Sequence, residues 1–199
     1  MATITADAVK ELRELTGAGF MDCKRALEET DGRVDAAVAL LRERGVAAAA
    51  RRADREAREG LVGSYIHMGG KFGSLIEVNC ETDFVARNEQ FQRLVRDLAM
   101  AVVALKPEYP TIESIPAEVV EAKRAQILAD PAIAGKSADV QARIIDGQLK
   151  KWYEQVVLYE QPFRDTEMTV GQLVTDAIAT IGENIRVRRF VRFEVGEEL

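Results

Sequence analysis

Apolar residues recur along this chain mostly at spacings of three and four, and in three stretches they fall into shorter strand-like runs. Spacings of three to four mark helices, and alternation marks strands. After Thr5, a candidate N-cap, Val9, Leu12 and Leu15 form one stripe that ends at Gly17 and Gly19. A second helix is expected over about Phe20–Glu29, with Cys23, Ala26 and Leu27 inward. A third carries Val34, Ala37, Val38 and Leu41 and is expected to stop at Gly45. Residues 46–60 have arginines and acids but no apolar stripe, which predicts a solvated, partly helical linker. Leu61–Met68 and Ser74–Cys80 then read as strands joined by Gly69-Gly70-Lys71-Phe72-Gly73, a hairpin signal. A phosphate loop is excluded there, because no Gly-Lys-Ser/Thr ending and no helix follow.

The junction after this hairpin organises the rest. Phe91, Leu94, Val95, Leu98 and Val102 define a helix, and Thr82 and Asn88 are each placed to cap a helical turn. By position and type Phe84 fits a core residue under the turn, since most phenylalanines are buried; the same junction also suits side chains pointing outward. Further on, Ser114-Ile115-Pro116 opens a helix, and Ser137 is placed to cap a long one with Val140, Ile144, Ile145, Leu149, Trp152, Tyr153 and Val156 on a wide apolar side. Thr169 and Gln172 form a capping-box pair before a helix that Gly182 stops. The final strand alternates Ile185, Val187, Val191, Phe193 and Val195 with Arg186, Arg188, Arg192 and Glu194, so one face should pack on helices and the other carry arginines. The pattern predicts an α+β protein. A small three-helix bundle (1–45) and a linker (46–60) precede a core domain (61–199) whose three-stranded antiparallel sheet packs with helices.

Composition narrows the function. With 199 residues, 47% of them hydrophobic, the chain can bury a core. A net charge of −6 argues against a general nucleic-acid binder. No apolar run could span a bilayer, and Met1-Ala2-Thr3-Ile4-Thr5 lacks signal-peptide features, so a cytoplasmic location is expected. Cys23 and Cys80 are expected to be free thiols. One histidine and two distant cysteines offer no metal-ligand spacing, and no cofactor is expected. No nucleophile–base pair is legible: His67 has no partner nearby in sequence, and Glu77 and Asp83 have no reason to pair. The chain is expected not to be an enzyme.

Two strings carry a resemblance. Asn79-Cys80-Glu81-Thr82-Asp83-Phe84-Val85-Ala86 followed by Asn88, and Leu12-Arg13-Glu14-Leu15-Thr16-Gly17-Ala18-Gly19-Phe20-Met21-Asp22-Cys23-Lys24-Arg25-Ala26-Leu27, are similar to the signatures of the elongation factor Ts family. Lys151-Trp152 and Glu160-Gln161-Pro162-Phe163 are also family-like. The resemblance implies a guanine-nucleotide exchange factor in translation whose partner is the GTPase elongation factor Tu, and a bundle of ubiquitin-associated type. It implies that Thr82, Asp83, Phe84 and Val85 form a wedge that disturbs the partner's Mg²⁺ site. Physics alone leaves Phe20 and Met21 as bundle core or exposed contact; the resemblance assigns Met21 and Lys24 to partner contact. The chain is shorter than family members with a duplicated core, so a homodimer through the sheet or the long helix is expected, with two partner molecules per dimer. A generic adaptor using the bundle is the competing class; it would account for the bundle but not for the wedge.

Overall fold

A computed structural model describes residues 4–164, 166 and 168–198. Met1, Ala2, Thr3 and Leu199, to which the terminal expectations extend, lie outside the described residues. The element order is α1 (Ala6–Thr16), α2 (Phe20–Glu29), α3 (Val34–Ala50), β1 (Glu59–Ile66), β2 (Phe72–Cys80), α4 (Asp83–Ala86), α5 (Glu89–Leu105), α6 (Ala117–Leu128), α7 (Pro131–Ala134), α8 (Ala138–Val156), α9 (Val170–Ile181) and β3 (Arg186–Glu194). The strands form one sheet in the order β1-β2-β3. The Lys71 carbonyl accepts from the Val195 N–H, whereas Glu77 meets Arg188 and Arg189, so β3 runs antiparallel to β2. The class is α+β, as the pattern predicts. The chain divides into two compact units: one comprises the chain through Leu61 with Val78–Leu94 and Leu173–Arg186, the other Val62–Glu77, Val95–Gln172 and the chain from Val187.

In the first unit, Val9, Leu12, Cys23, Ala26, Leu27 and Ala37 make the bundle core. Thr5 caps α1 by accepting the Ala8 N–H at 3.2 Å, and Gly17 closes it at φ +68°. Leu15, expected inward, is 64% exposed. Three-residue steps fall short of a turn, so Leu15 lies about 120° round the helix from Val9. A second correction concerns α3, which runs on to Ala50 instead of stopping at Gly45. Gly45 is buried inside the helix, where an added Cβ would lie 3.2 Å from the Ala179 Cβ. The glycine serves a close helix approach, not a stop.

In the second unit, α5 lies close to the hairpin. Ser74 donates to the Ala99 carbonyl at 2.7 Å, and an added Cβ on Gly63 would meet Val95 Cγ1 at 2.3 Å. Leu98, Val102 and Ile76 are fully or almost fully buried. Thr169 and Gln172 form the expected reciprocal cap, at 2.8 and 3.2 Å. Ser137 occupies the N-cap position of α8, but its side chain makes no capping bond there. Ile145 and Leu149 of α8 pack with Ile127 and Ile133, so the wide face is largely core.

Strand β3 departs from expectation past Val187. Val187 is buried, but Val191 and Phe193 face solvent, Phe193 at 62% exposure. The Arg192 side chain is only 9% exposed; it lies over the Phe72 ring and pairs with Glu194 at 2.5 Å. The cause is local. Consecutive strand residues normally point to opposite faces, yet Arg188 and Arg189 both bond Glu77, at 2.8 and 2.7 Å. The alternation shifts by one at this pair, moving the later apolar residues to the open face.

Candidate partner-binding site

Strand β2 ends at Cys80, and two residues later the chain enters α4. Thr82 is extended, at φ −129° and ψ 153°, and its hydroxyl accepts the Val85 N–H at 3.3 Å. That bond satisfies one of the amides that a helix start leaves unpaired. Asn88 repeats the device for α5, its Oδ1 accepting the Gln90 N–H at 2.7 Å. Two caps six residues apart in sequence hold a sharp elbow. Ala86 and Phe91 are buried and anchor its inner side.

The outer side carries Asp83 and Phe84. Phe84 is 85% exposed, which overturns its reading as a core residue. Burying such a side chain is worth roughly 1.5–3 kcal/mol, and this fold leaves that gain uncollected on a rigid turn. Asp83 pairs with Arg87 at 2.8 Å across one helical turn, with both side chains mostly exposed. Val85 is half-buried.

Three further groups brace the elbow. Cys80, buried and free, donates through Sγ to the Thr82 carbonyl at 3.1 Å. Burial, helped by the nearby Glu183 charge, pushes this thiol up to about 11, so it stays protonated at neutral pH. The Glu183 carboxylate accepts from the N–H groups of Glu81 and Thr82 at 3.0 and 3.1 Å and from the Thr82 hydroxyl at 2.6 Å. Glu81 in turn accepts the Asn184 N–H at 2.6 Å and pairs with Arg55 at 3.5 Å. None of this is legible locally, because Glu81 and Glu183 are 102 residues apart. The only hint is an acid–amide pair, Glu183-Asn184, directly after the stop at Gly182.

The N-terminal bundle offers a second exposed region. Phe20 and Met21 begin α2 at 49% and 58% exposure, so neither is bundle core. Lys24 lies one turn on, in a loose pair with Glu28 at 3.8 Å. Met21 and Lys24 therefore share an accessible helix start.

Glu77 and His67 both engage neighbouring side chains. Arg188 and Arg189 hydrogen-bond Glu77 and hold its carboxyl below its ordinary range, the wrong direction for a general acid at neutral pH. His67 is bonded through Nδ1 to the Tyr65 hydroxyl at 3.0 Å in an exposed hairpin setting. Among the described residues, no group of three or more His, Cys, Asp or Glu is placed to hold a metal, and no helix is long and apolar enough to cross a membrane.

The family model described as Elongation factor TS matches residues 2–197. The chain is 52% identical over 197 residues to Elongation factor Ts of Carboxydothermus hydrogenoformans, an alignment covering 98% of this chain and 91% of that protein. It is 53% identical to the Heliobacterium modesticaldum protein of the same name, covering 98% and 92%, and 51% identical to that of Geobacter sulfurreducens, covering 99% and 92%. With a whole-length family match and relatives at this identity, the chain belongs to the elongation factor Ts family of translation elongation factors.

Proposed function

We propose that this protein is a cytoplasmic guanine-nucleotide exchange factor that binds elongation factor Tu carrying GDP and promotes GDP release. The observation that carries this reading is Phe84, an exposed aromatic on a doubly capped turn beside an exposed carboxylate. Phe84 inserts its ring between helices of the partner's nucleotide domain, where a buried aromatic is a natural hot spot. Asp83 then competes for polar contacts beside the Mg²⁺ site. Its pair with Arg87 is exposed and worth at most about 0.5 kcal/mol, so freeing it costs little. Thr82 and Val85 hold the wedge in shape. Met21 and Lys24 grip the same domain from another side. The bundle at 1–45, the segment 46–60 and the domain at 61–199 act as grip, connector and exchange module. No covalent step, bound metal or cofactor of its own is required, so the protein is not an enzyme in the usual sense. Neither nucleic acid nor membrane is a partner.

Exchange by this route is a linkage effect: a factor that weakens nucleotide must itself be weakened by nucleotide, by the same factor. Nucleotide-free elongation factor Tu should therefore bind this protein at least about a hundredfold more tightly than the GDP–Mg²⁺ form, near the upper end of usual coupling energies. Titration calorimetry on the two forms measures this. Equal affinities would exclude the exchange reading while leaving a simple adaptor.

We propose further that the protein is a homodimer joined by the open sheet face, giving a 2:2 complex. Val62, Ile66, Leu75, Val191 and Phe193 are all exposed, on three strands of one sheet. Contiguous apolar surface of this kind marks an interface. The ion pairs of Glu77 with Arg188 and Arg189 accompany it, as polar groups accompany apolar cores in interfaces generally. Sedimentation should find a dimer at micromolar concentration and a monomer for Phe193→Glu, which would place a charge in the contact. A monomeric wild type would contradict the assignment.

A further inference from the structure

Resting on the wedge reading above, we propose that Glu183, from the turn between α9 and β3, is the positioning residue that holds the Thr82-Asp83-Phe84-Val85 turn ready for insertion. The geometry is specific. One carboxylate accepts three hydrogen bonds from two adjacent residues: the Glu81 N–H at 3.0 Å, the Thr82 N–H at 3.1 Å and the Thr82 hydroxyl at 2.6 Å. A hydroxyl has a single proton. By taking that proton, Glu183 leaves the Thr82 lone pairs to face the Val85 N–H, so it fixes the direction in which the cap works.

The opposing strand end returns the contact. Glu81 accepts the Asn184 N–H at 2.6 Å, and the Asn184 amide donates to the carbonyls of Ala53 and Arg55 at 3.2 and 2.7 Å. Two consecutive residues, 81 and 82, are thus tied reciprocally to two consecutive residues, 183 and 184. Phe84 is almost fully exposed, so side-chain packing does little to aim it. Its direction is set by the backbone at residues 81–83, which is what the Glu183 carboxylate fixes. A wedge aimed in advance avoids the ordering cost of aiming it on the partner.

The test uses the full chain with Glu183→Ala and Glu183→Gln, beside Phe84→Ala. Release of labelled GDP from elongation factor Tu is followed as the factor concentration rises, and amide hydrogen exchange is measured on the free protein. Losing charge-assisted hydrogen bonds should lower the maximal acceleration by Glu183→Ala about tenfold. The half-maximal concentration should stay within about twofold, because the bundle and the wedge side chains are intact. Amides of Glu81 and Thr82 should exchange faster, while those of Leu98 and Val102 keep wild-type protection. Glu183→Gln can still accept from both amides, but it meets the Thr82 hydroxyl with a donor; a loss of about threefold is expected, below that of full truncation. If Glu183→Ala fails to fold, Glu183→Gln decides. Wild-type maximal rates for the glutamate variants alongside a slow Phe84→Ala would overturn the positioning role alone. A wild-type rate for Phe84→Ala would overturn the wedge reading itself. Faster exchange at Leu98 in both folded glutamate variants would make Glu183 a residue of general stability and would also overturn the proposal.

Discussion

Phe84→Ala should lose most of the acceleration of GDP release while leaving the fold unchanged. A central aromatic anchor contributes about 2 kcal/mol or more, equivalent to roughly thirtyfold in rate or affinity. The fold should not register the change. The ring is 85% exposed, and exposed substitutions away from special features shift stability by about 0.5 kcal/mol or less. Alanine is also a better helix former than phenylalanine, so α4 is not weakened. Stopped-flow release of a fluorescent GDP analogue gives the rate, and a thermal melt gives the control. Unchanged release would shift the mechanism to Met21, Lys24 and the rest of the bundle.

The largest effect on stability should come from Gly60→Ala. Gly60 sits at φ +143°, and an added Cβ would lie 2.1 Å from the Val78 carbonyl oxygen and 2.8 Å from the Asn79 Cα. Both obstacles are backbone, so no side-chain rotation relieves them. The conformation is itself nearly restricted to glycine and costs other residues about 1–3 kcal/mol before any clash. A loss of about 3 kcal/mol or more is expected, lowering the melting temperature by roughly 10 °C for a chain of this size. The site lies beside the bond that the Asn79 side chain donates to the Glu59 carbonyl at 3.1 Å, just before the strand end that carries the wedge. Activity should fall only as the unfolded fraction grows, unlike Phe84→Ala, which should lose activity while folded. A melting temperature within a degree or two of wild type would show that the strands separate at that point without cost.

Local signals account for what the sequence made legible. The caps at Thr5, Thr82 and Asn88, the Thr169–Gln172 box, the glycine hairpin and the α5 stripe all depend on residues within one or two turns of each other, and all occur as expected. Failures arise where a distant partner overrides a local rule. Gly45 looked like a helix stop, but its reason is Ala179. Strand β3 turns its later apolar residues outward because Arg188 and Arg189 both turn to Glu77, which lies on another strand. The wedge side chains are legible through family resemblance, whereas residue type alone points Phe84 inward. The support from Glu183 is invisible for the same reason as the β3 shift: a carboxylate shows its role only when the chain folds it against the groups that donate to it.

Release of labelled GDP from elongation factor Tu, in Mg²⁺, with increasing amounts of this protein, tests the exchange function most directly. An exchange factor should give acceleration that rises with concentration and saturates once a ternary complex of partner, nucleotide and factor is fully formed. Release at the unassisted rate, with a partner shown to bind and exchange nucleotide normally, would contradict that function.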